Sequence, residues 1–396
     1  MRRLLPRTAL SFVLGMSGTA AEAVDYGRLQ LHGFASQAVV RTSDNQYFGD
    51  STRTTFAFTE LGLNLCYRPD PHLLLSSQVL VRRAGEMYDG TPSIDYALAD
   101  MTLYSSAERR LGIRGGRYKV PMGLYNETRD IPFTRPGIFL PQVVYYDKIR
   151  NLALSLDGLA LYGETYGALG NVSLTLATGR AAIDENVEWT YLGNDYPGNL
   201  TADGLAWLAS LWYSSQTERL KLGFSIASHG MSFEPGANSP LADGSISFIY
   251  WIASAQYNAR DWTISAEYSR IPLEWDAFGP VYPFTKEEVE GYYLQGAYRL
   301  RPDLELMLRY EEGFANRADK DGSRFSALTG GITPASDFYS KIWTAGLRWD
   351  ILPDLMLRLE YQRHLGTFAL SIRENPDPSG LVGEWDAIAA SLSVRF

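Results

Sequence analysis

Apolar and polar residues alternate with a period of two through most of this chain, in segments of about ten residues broken by turn formers. Leu304, Leu306, Leu308 and Tyr310 fall on one side of such a segment, with Glu305, Met307, Arg309 and Glu311 on the other. Leu355, Leu357, Leu359 and Tyr361 oppose Arg358, Glu360 and Gln362 in the same way. Residues two apart share a face in an extended strand and not in a helix. The alternation predicts sixteen strands, near 28–42, 53–67, 73–83, 95–106, 111–120, 152–163, 169–179, 205–216, 219–229, 246–258, 261–271, 289–301, 303–313, 338–350, 354–364 and 384–396.

The connections alternate too. Short ones such as RPDPH after Tyr67, AERR at 107–110, NAR at 258–260, RPD at 301–303 and ILP at 351–353 are interleaved with long ones at 43–52, 84–94, 121–151, 180–204, 230–245, 272–288, 314–337 and 365–383. A soluble sandwich has no reason to sort its loops by length. A transmembrane barrel does, with short turns on one side, long loops on the other and an even number of strands. The expected fold is therefore all-β, a single sixteen-stranded antiparallel transmembrane β-barrel with a long inward-folded third loop.

Composition agrees. Beyond residue 23 no run approaches the roughly 20 apolar residues of a spanning helix. With 25 Tyr and 9 Trp, the chain can supply interfacial girdles although its mean hydropathy is slightly negative. Arg2, Arg3 and Arg7, then Ala9–Met16, then Ala21-Glu22-Ala23 follow the order of a secretory signal, cleaved near Ala23. That makes 1–23 a signal peptide and 24–396 the barrel. The mature part keeps 33 basic and 44 acidic residues, a net charge of −11, which argues against nucleic acid as a partner. A single cysteine, Cys66, excludes an internal disulfide framework.

The segment 121–151, MGLYNETRDIPFTRPGIFLPQVVYYDKIRN from Met122 onward, departs from strand character. Loops of that length are uncommon unless functional or disordered, and this one is too rich in Phe, Ile, Leu and Tyr for a solvated tail. It is expected to fold into the barrel mouth and narrow it. Leading into it, Leu111 and Ile113 would put Arg117 and Lys119 toward lipid. A bulge at Gly115-Gly116 would restore parity and turn Arg114, Arg117 and Lys119 to the lumen; the other reading sets them above the membrane, where parity is unimportant. Alternation points Arg299, Arg309, Arg348 and Arg358 inward from four successive strands about 4.8 Å apart. Facing Glu127, Asp130 and Asp147 of the loop, such a ladder would create a transverse field; the competing reading pairs each arginine with Glu305, Glu311 or Glu360. Arg129, Arg135 and Lys148 would serve a channel selective for an anionic solute.

The last strand, WDAIAASLSVRF, sets Ile388, Ala390, Leu392, Val394 and Phe396 on one face and ends the chain on an aromatic residue. With GGRYKVPMGLYNETRD at 115–130, the mature chain resembles the sixteen-stranded porins of Gram-negative outer membranes, within the superfamily that includes phosphate-selective and dicarboxylate-type channels. The resemblance implies passive diffusion of small hydrophilic solutes and ions, constriction by the third loop, a homotrimer, an outer membrane of lipid and lipopolysaccharide, and recognition of the strand ending at Phe396 by the barrel assembly machinery. It implies no cofactor and no catalysis. The chain lacks the dense arginine and lysine cluster of a dedicated phosphate channel, so the solute stays open. A plugged barrel acting as adhesin, anchor or barrel enzyme is the remaining alternative. For the enzyme, His229 with Ser228, or His364, are the available residues, without a Gly-x-Ser-x-Gly or His-Glu-x-x-His motif. Asp184, Glu185, Glu188, Asp195 and Asp203 lack the spacing of a calcium loop and read as solvated charge.

Overall fold

The computed structural model describes residues 24–25, 27–280, 282 and 285–396, so the segment read as an export signal lies outside the described residues. Sixteen antiparallel strands form the wall: β1 (Leu29–Thr42), β2 (Thr55–Asp70), β3 (Leu73–Ala84), β4 (Tyr88–Ser105), β5 (Arg109–Lys119), β6 (Ser155–Gly167), β7 (Gly170–Ala181), β8 (Ala206–Ser214), β9 (Leu220–Pro235), β10 (Gly244–Asn258), β11 (Trp262–Asp276), β12 (Lys286–Arg301), β13 (Leu304–Phe314), β14 (Tyr339–Leu352), β15 (Leu355–Gly366) and β16 (Glu384–Arg395). Each pairs with its neighbours in sequence, and β16 returns to β1, from Ala387 opposite Thr42 to Arg395 opposite Phe34. Closure leaves the wall no unpaired edge, the condition for crossing lipid with strands. Two short strands add to it: Val24–Asp25 beside Leu31 and Gln30, and Gly198–Ala202 beside the Met231–Pro235 end of β9. Helices α1 (Arg150–Leu154), α2 (Glu185–Leu192) and α3 (Ser323–Leu328) sit in the long loops.

All sixteen expected strands are present. The expected long loop at 84–94 is not. β3 reaches Ala84 and turns through Gly85, in the left-handed region at φ 57°, with the Met87 N–H bonded to the Ala84 carbonyl at 3.1 Å, and β4 begins at Tyr88. Gly90 and Pro92 disguise this stretch in the sequence. The strand accommodates them because its register with β3 slips between Val81 and Arg83.

A bulge does exist beside β5, but on the other strand. Pairing of β5 with β6 runs unbroken from Arg109–Thr165 to Lys119–Ser155, so Gly115-Gly116 inserts nothing. In β4, Tyr96 faces Gln78 and Ile94 faces Val79, leaving Asp95 as the extra residue. A bulge re-aims its side chain, and Asp95 is turned inward and buried.

The outer face is apolar. Leu63, Leu159, Leu161, Leu308 and Ile388 are exposed there, and Tyr67, Tyr257, Trp262 and Trp349 gather toward the short-turn end. Inside, polar groups mix with two apolar clusters built mainly from loop residues and the upper wall. Leu308→Arg, mid-strand on the outer face, is expected to lower unfolding free energy in bilayers by about 2–4 kcal/mol. Ser173→Arg, inward on β7 opposite Glu164, should change it little; denaturant titration in lipid vesicles measures both.

Candidate functional site

Residues 120–154 leave the top of β5, cross the barrel interior and return to β6, and most of their side chains are buried. A buried irregular segment brings peptide N–H and C=O groups that no helix or sheet satisfies, and the wall supplies their partners. Glu267 of β11 accepts the Leu124 N–H at 2.8 Å and the Tyr145 hydroxyl at 2.5 Å. Glu360 of β15 accepts Ile138 N–H at 2.5 Å, and Glu311 of β13 accepts Val143 N–H at 3.3 Å. For the carbonyls, Ser210 and Ser225 donate to Pro121 at 2.7 and 3.0 Å, Tyr250 to Val144, Arg309 to Phe139 at 3.2 Å, Arg348 to Phe133 at 3.1 Å, and Arg358 to Pro132 at 3.2 Å and to Gly137.

Ion pairs fasten the loop's flanks. In one cluster, Lys119 lies 2.6 Å from both Asp95 and Asp130, and Arg150 pairs with Asp130 and stands 3.6 Å from Asp95. In the other, Arg82 meets Asp147 at 2.9 Å and Glu60 at 3.5 Å, Arg129 meets Asp147 at 3.5 Å, and Arg135 meets Glu60 at 2.6 Å. Burial works to raise the Asp130 carboxyl, but Arg150 and Lys119 outweigh it and hold it well below the usual range. Burial opposes Arg82 and Arg129 at Asp147 with the same outcome, a lowered pKa.

The loop tip also fits by shape. Val143 sits against Gly291 of β12 and Gly313 of β13, where an added Cβ would collide with the Val143 carbonyl oxygen and side chain respectively. Spaces left in this layer include two of about 10 Å³, each room for about one water. One is lined by Arg82, Arg129, Arg135 and Asp147, the other by Met122, Arg129 and Tyr146. On the external side the space opens to about 400 Å³.

The residues singled out from sequence lie in different surroundings. Lys119, Arg129, Asp130, Arg135, Asp147, Arg309 and Arg358 are in the buried contacts just described. Arg114, bound to Asp100 at 2.8 Å and 3.9 Å from Glu127, faces the lumen below the loop. Arg299, Glu305, Arg348 and Arg358 lie opposite one another in one cross-strand row, with Arg309 above it, so glutamate interrupts the expected ladder. Arg309 pairs with Glu311 at 3.0 Å, and Arg348 with Asp350 at 3.0 Å. Asp130 and Asp147 are matched by cations of their own flank and do not face the arginine wall.

Arg117 is a correction. With β5 unbulged, it shares the outer face with Leu159 and Leu161, where two hydrogen bonds of 2.7 Å join it to Asp157. Lys148 stands alone in the mouth. Burial pushes its ammonium down to about 7, against the pull of Asp337.

Sequence reasoning passed over Glu60, Arg82, Asp95, Arg150 and Glu267. Four of them are wall residues; Glu60, Arg82 and Glu267 sit at inward positions of the alternation, a usable signal, whereas Asp95 becomes inward only through its bulge. The enzyme-like pairing separates: His229 faces inward and stacks on Phe248 at 5.1 Å, while Ser228 lies on the opposite face of β9. His364 stacks on Trp385 at 3.7 Å. In the acidic loop, Asp184 caps α2 by accepting the Val187 N–H at 3.0 Å, and Glu185 pairs with Arg373 at 2.8 Å.

No family model matches the chain, and no curated protein matches it in sequence. Its fold has solved counterparts. The outer membrane channel DcaP of Acinetobacter baumannii superposes with a TM-score of 0.57 at 12% identity, over 93% of this chain and 97% of that one. OmpT of Vibrio cholerae gives 0.56 at 11% identity, over 95% and 100%. An anion-selective porin from Comamonas acidovorans gives 0.55 at 13% identity, over 93% and 99%. The architecture is that of the sixteen-stranded outer-membrane porins.

Two outcomes test the loop's fastening. Gly291→Ala should unseat Val143 at a cost of about 1–3 kcal/mol, seen as faster amide exchange across 138–146 with the barrel intact. For pH, Asp130 and Asp147 have folded pKa values below the unfolded ones, so their stabilisation is complete above about 3.9. It is lost as pH falls through the lower folded values. Exchange protection of 126–135, the stretch around Asp130, corrected for intrinsic rates, should collapse in strong acid, at a pH below the unfolded carboxyl value of about 3.9.

Proposed function

We propose that this chain is an outer-membrane porin, a passive diffusion channel for small hydrophilic solutes and ions whose throughput is set by the loop at 121–151. The observation that carries this reading is the division of the barrel: an apolar outer face, a polar lumen below the loop containing Arg114, Lys221, Arg299, Glu305 and Asp350, and a loop held across it by side chains of the wall. Fixed charge and radius govern passage through such a lumen. The reading extends to export with removal of 1–23, residence among lipid and lipopolysaccharide, a homotrimer, and assembly through the strand ending at Phe396, whose N–H and C=O both bond Gly33 at 3.0 Å. It assigns no cofactor and no catalytic role.

A plugged barrel is the second reading, favoured by the water-sized spaces in the loop layer. Planar-bilayer recording separates the two. For a channel, the refolded wild type passes discrete currents, and replacing 132–143 by two glycines raises conductance several-fold. A wild type that stays silent while the shortened variant conducts establishes the plug. Silence from both, with barrels folded by heat-modified mobility, overturns the channel reading.

A further inference from the structure

The external mouth differs in kind from the lumen beneath it. Its cavity of about 400 Å³ is within the range that holds small organic ligands. The lining comes from the loop at 146–149, from α2 and the residues after it, from the upper ends of β11 and β12, and from the loops at 315–338 and 367–383. Leu192, Leu273, Trp275, Phe325, Phe338 and Leu370 make most of that surface apolar. A small hydrophilic solute gains nothing from such walls, whereas a solute with an aromatic or branched body is desolvated against them.

One cation lies among these walls. Lys148 is 8% exposed, donates a hydrogen bond to the Phe368 carbonyl and holds its Nζ 4.2 Å from the centre of the Phe368 ring. Among the described residues no carboxylate comes within 4.0 Å of it, whereas Arg129, Arg135 and Arg150 of the same loop each have one. The acids that share the cavity are otherwise engaged: Asp337 accepts the Thr367 hydroxyl at 2.5 Å, and Glu287 holds Arg324 at 2.9 Å. A buried ammonium with no carboxylate in direct contact is costly, and an anion brought by a ligand would supply that contact.

We infer that the mouth is a capture site for an amphipathic organic anion, a carboxylate carried on an aromatic or branched apolar body, with the carboxylate on Lys148 and the body against Trp275, Phe338 and Phe368. As an entry step for transport the site rests on the channel reading; as a binding site it stands on the cavity and Lys148 alone. Asp337 opposes the incoming charge and also helps to keep Lys148 protonated, so its removal should favour binding when measured at about pH 5.5, below the Lys148 value of about 7.

Isothermal titration of the folded full barrel in non-ionic detergent tests this with naphthalene-2-carboxylate, naphthalene-2-methanol as the uncharged control for micelle partitioning, and acetate as the anion without a body. The expected result is saturable binding of the naphthoate, one per barrel, with both controls at least tenfold weaker. Lys148→Met should lose at least tenfold and Asp337→Asn should gain a few-fold. Acid and alcohol titrating alike, naphthoate failing to saturate, or affinity unchanged in folded Lys148→Met overturns the site. Should Lys148→Met fail to fold, Asp337→Asn decides: tighter binding upholds it, and unchanged or weaker binding overturns it. Recording separates this inference from the channel reading, since binding without current leaves the site and removes the channel, and current without binding or block by naphthoate does the reverse.

Discussion

Everything in this barrel's interior follows from the need to satisfy peptide groups in a buried segment that has almost no regular structure. A strand crossing lipid solves that problem with its neighbours; a loop drawn into the lumen cannot. Irregular backbone at membrane depth is tolerated only where protein or water answers its donors and acceptors. Here the division of labour follows charge. Glu267, Glu311 and Glu360 take the loop's N–H groups, while Arg309, Arg348 and Arg358, with Ser210, Ser225 and Tyr250, donate to its carbonyls. The inward charges of the wall are therefore largely structural, and the sign pattern a solute meets is what remains after the loop has been bound.

The flanks use a costlier device. Asp95, Lys119, Asp130 and Arg150 form a buried group of two acids and two bases, and Glu60, Arg82, Arg129, Arg135 and Asp147 a group of two and three. Buried ion pairs add little net stability against apolar replacements, but removing one partner leaves an uncompensated charge and costs about 3–5 kcal/mol. Such clusters suit a segment that must occupy one position. They also make the loop's placement depend on the bulge in β4, because only the extra residue turns Asp95 toward Lys119.

How far this was legible in the sequence follows from how local each feature is. Alternation is a property of neighbouring residues, so all sixteen strands could be read, as could the inward course of a long, apolar, proline-bearing loop. Register is not local. The parity conflict at Arg117 and Lys119 was visible, yet its resolution lies across the strand pair: Asp95 bulges in β4, Lys119 reaches it from the strand end, and Arg117 stays outside with Asp157. The glycines that seemed to mark a bulge keep their register in β5, although Gly116 does so at a positive φ of 113°. In the same way Gly90 and Pro92 read as a loop because nothing nearby announces the slip in β3–β4 register that absorbs them. The arginine row was recoverable to one rung, where Glu305 stands in place of Arg309, which pairs further along with Gln295 and Thr344, an offset set by pairing across strands rather than by neighbouring residues.

The sequence also concealed the difference between the two sides of the loop. Lys148 follows Asp147 by one residue and reads in sequence as one of three loop cations with Arg129 and Arg135, but the chain's turn at that point sends the Asp147 and Lys148 side chains into opposite environments. Asp147 enters the arginine cluster at depth, and Lys148 enters the aromatic mouth. From outside inward, the described residues thus present hydrophobic walls with the Lys148 amine among them, then the tightly matched charges of the loop layer, and only beyond that layer the polar lumen. On the proposed reading, that order sets apolar surface and one basic group before the layer in which fixed charge and radius act on a solute.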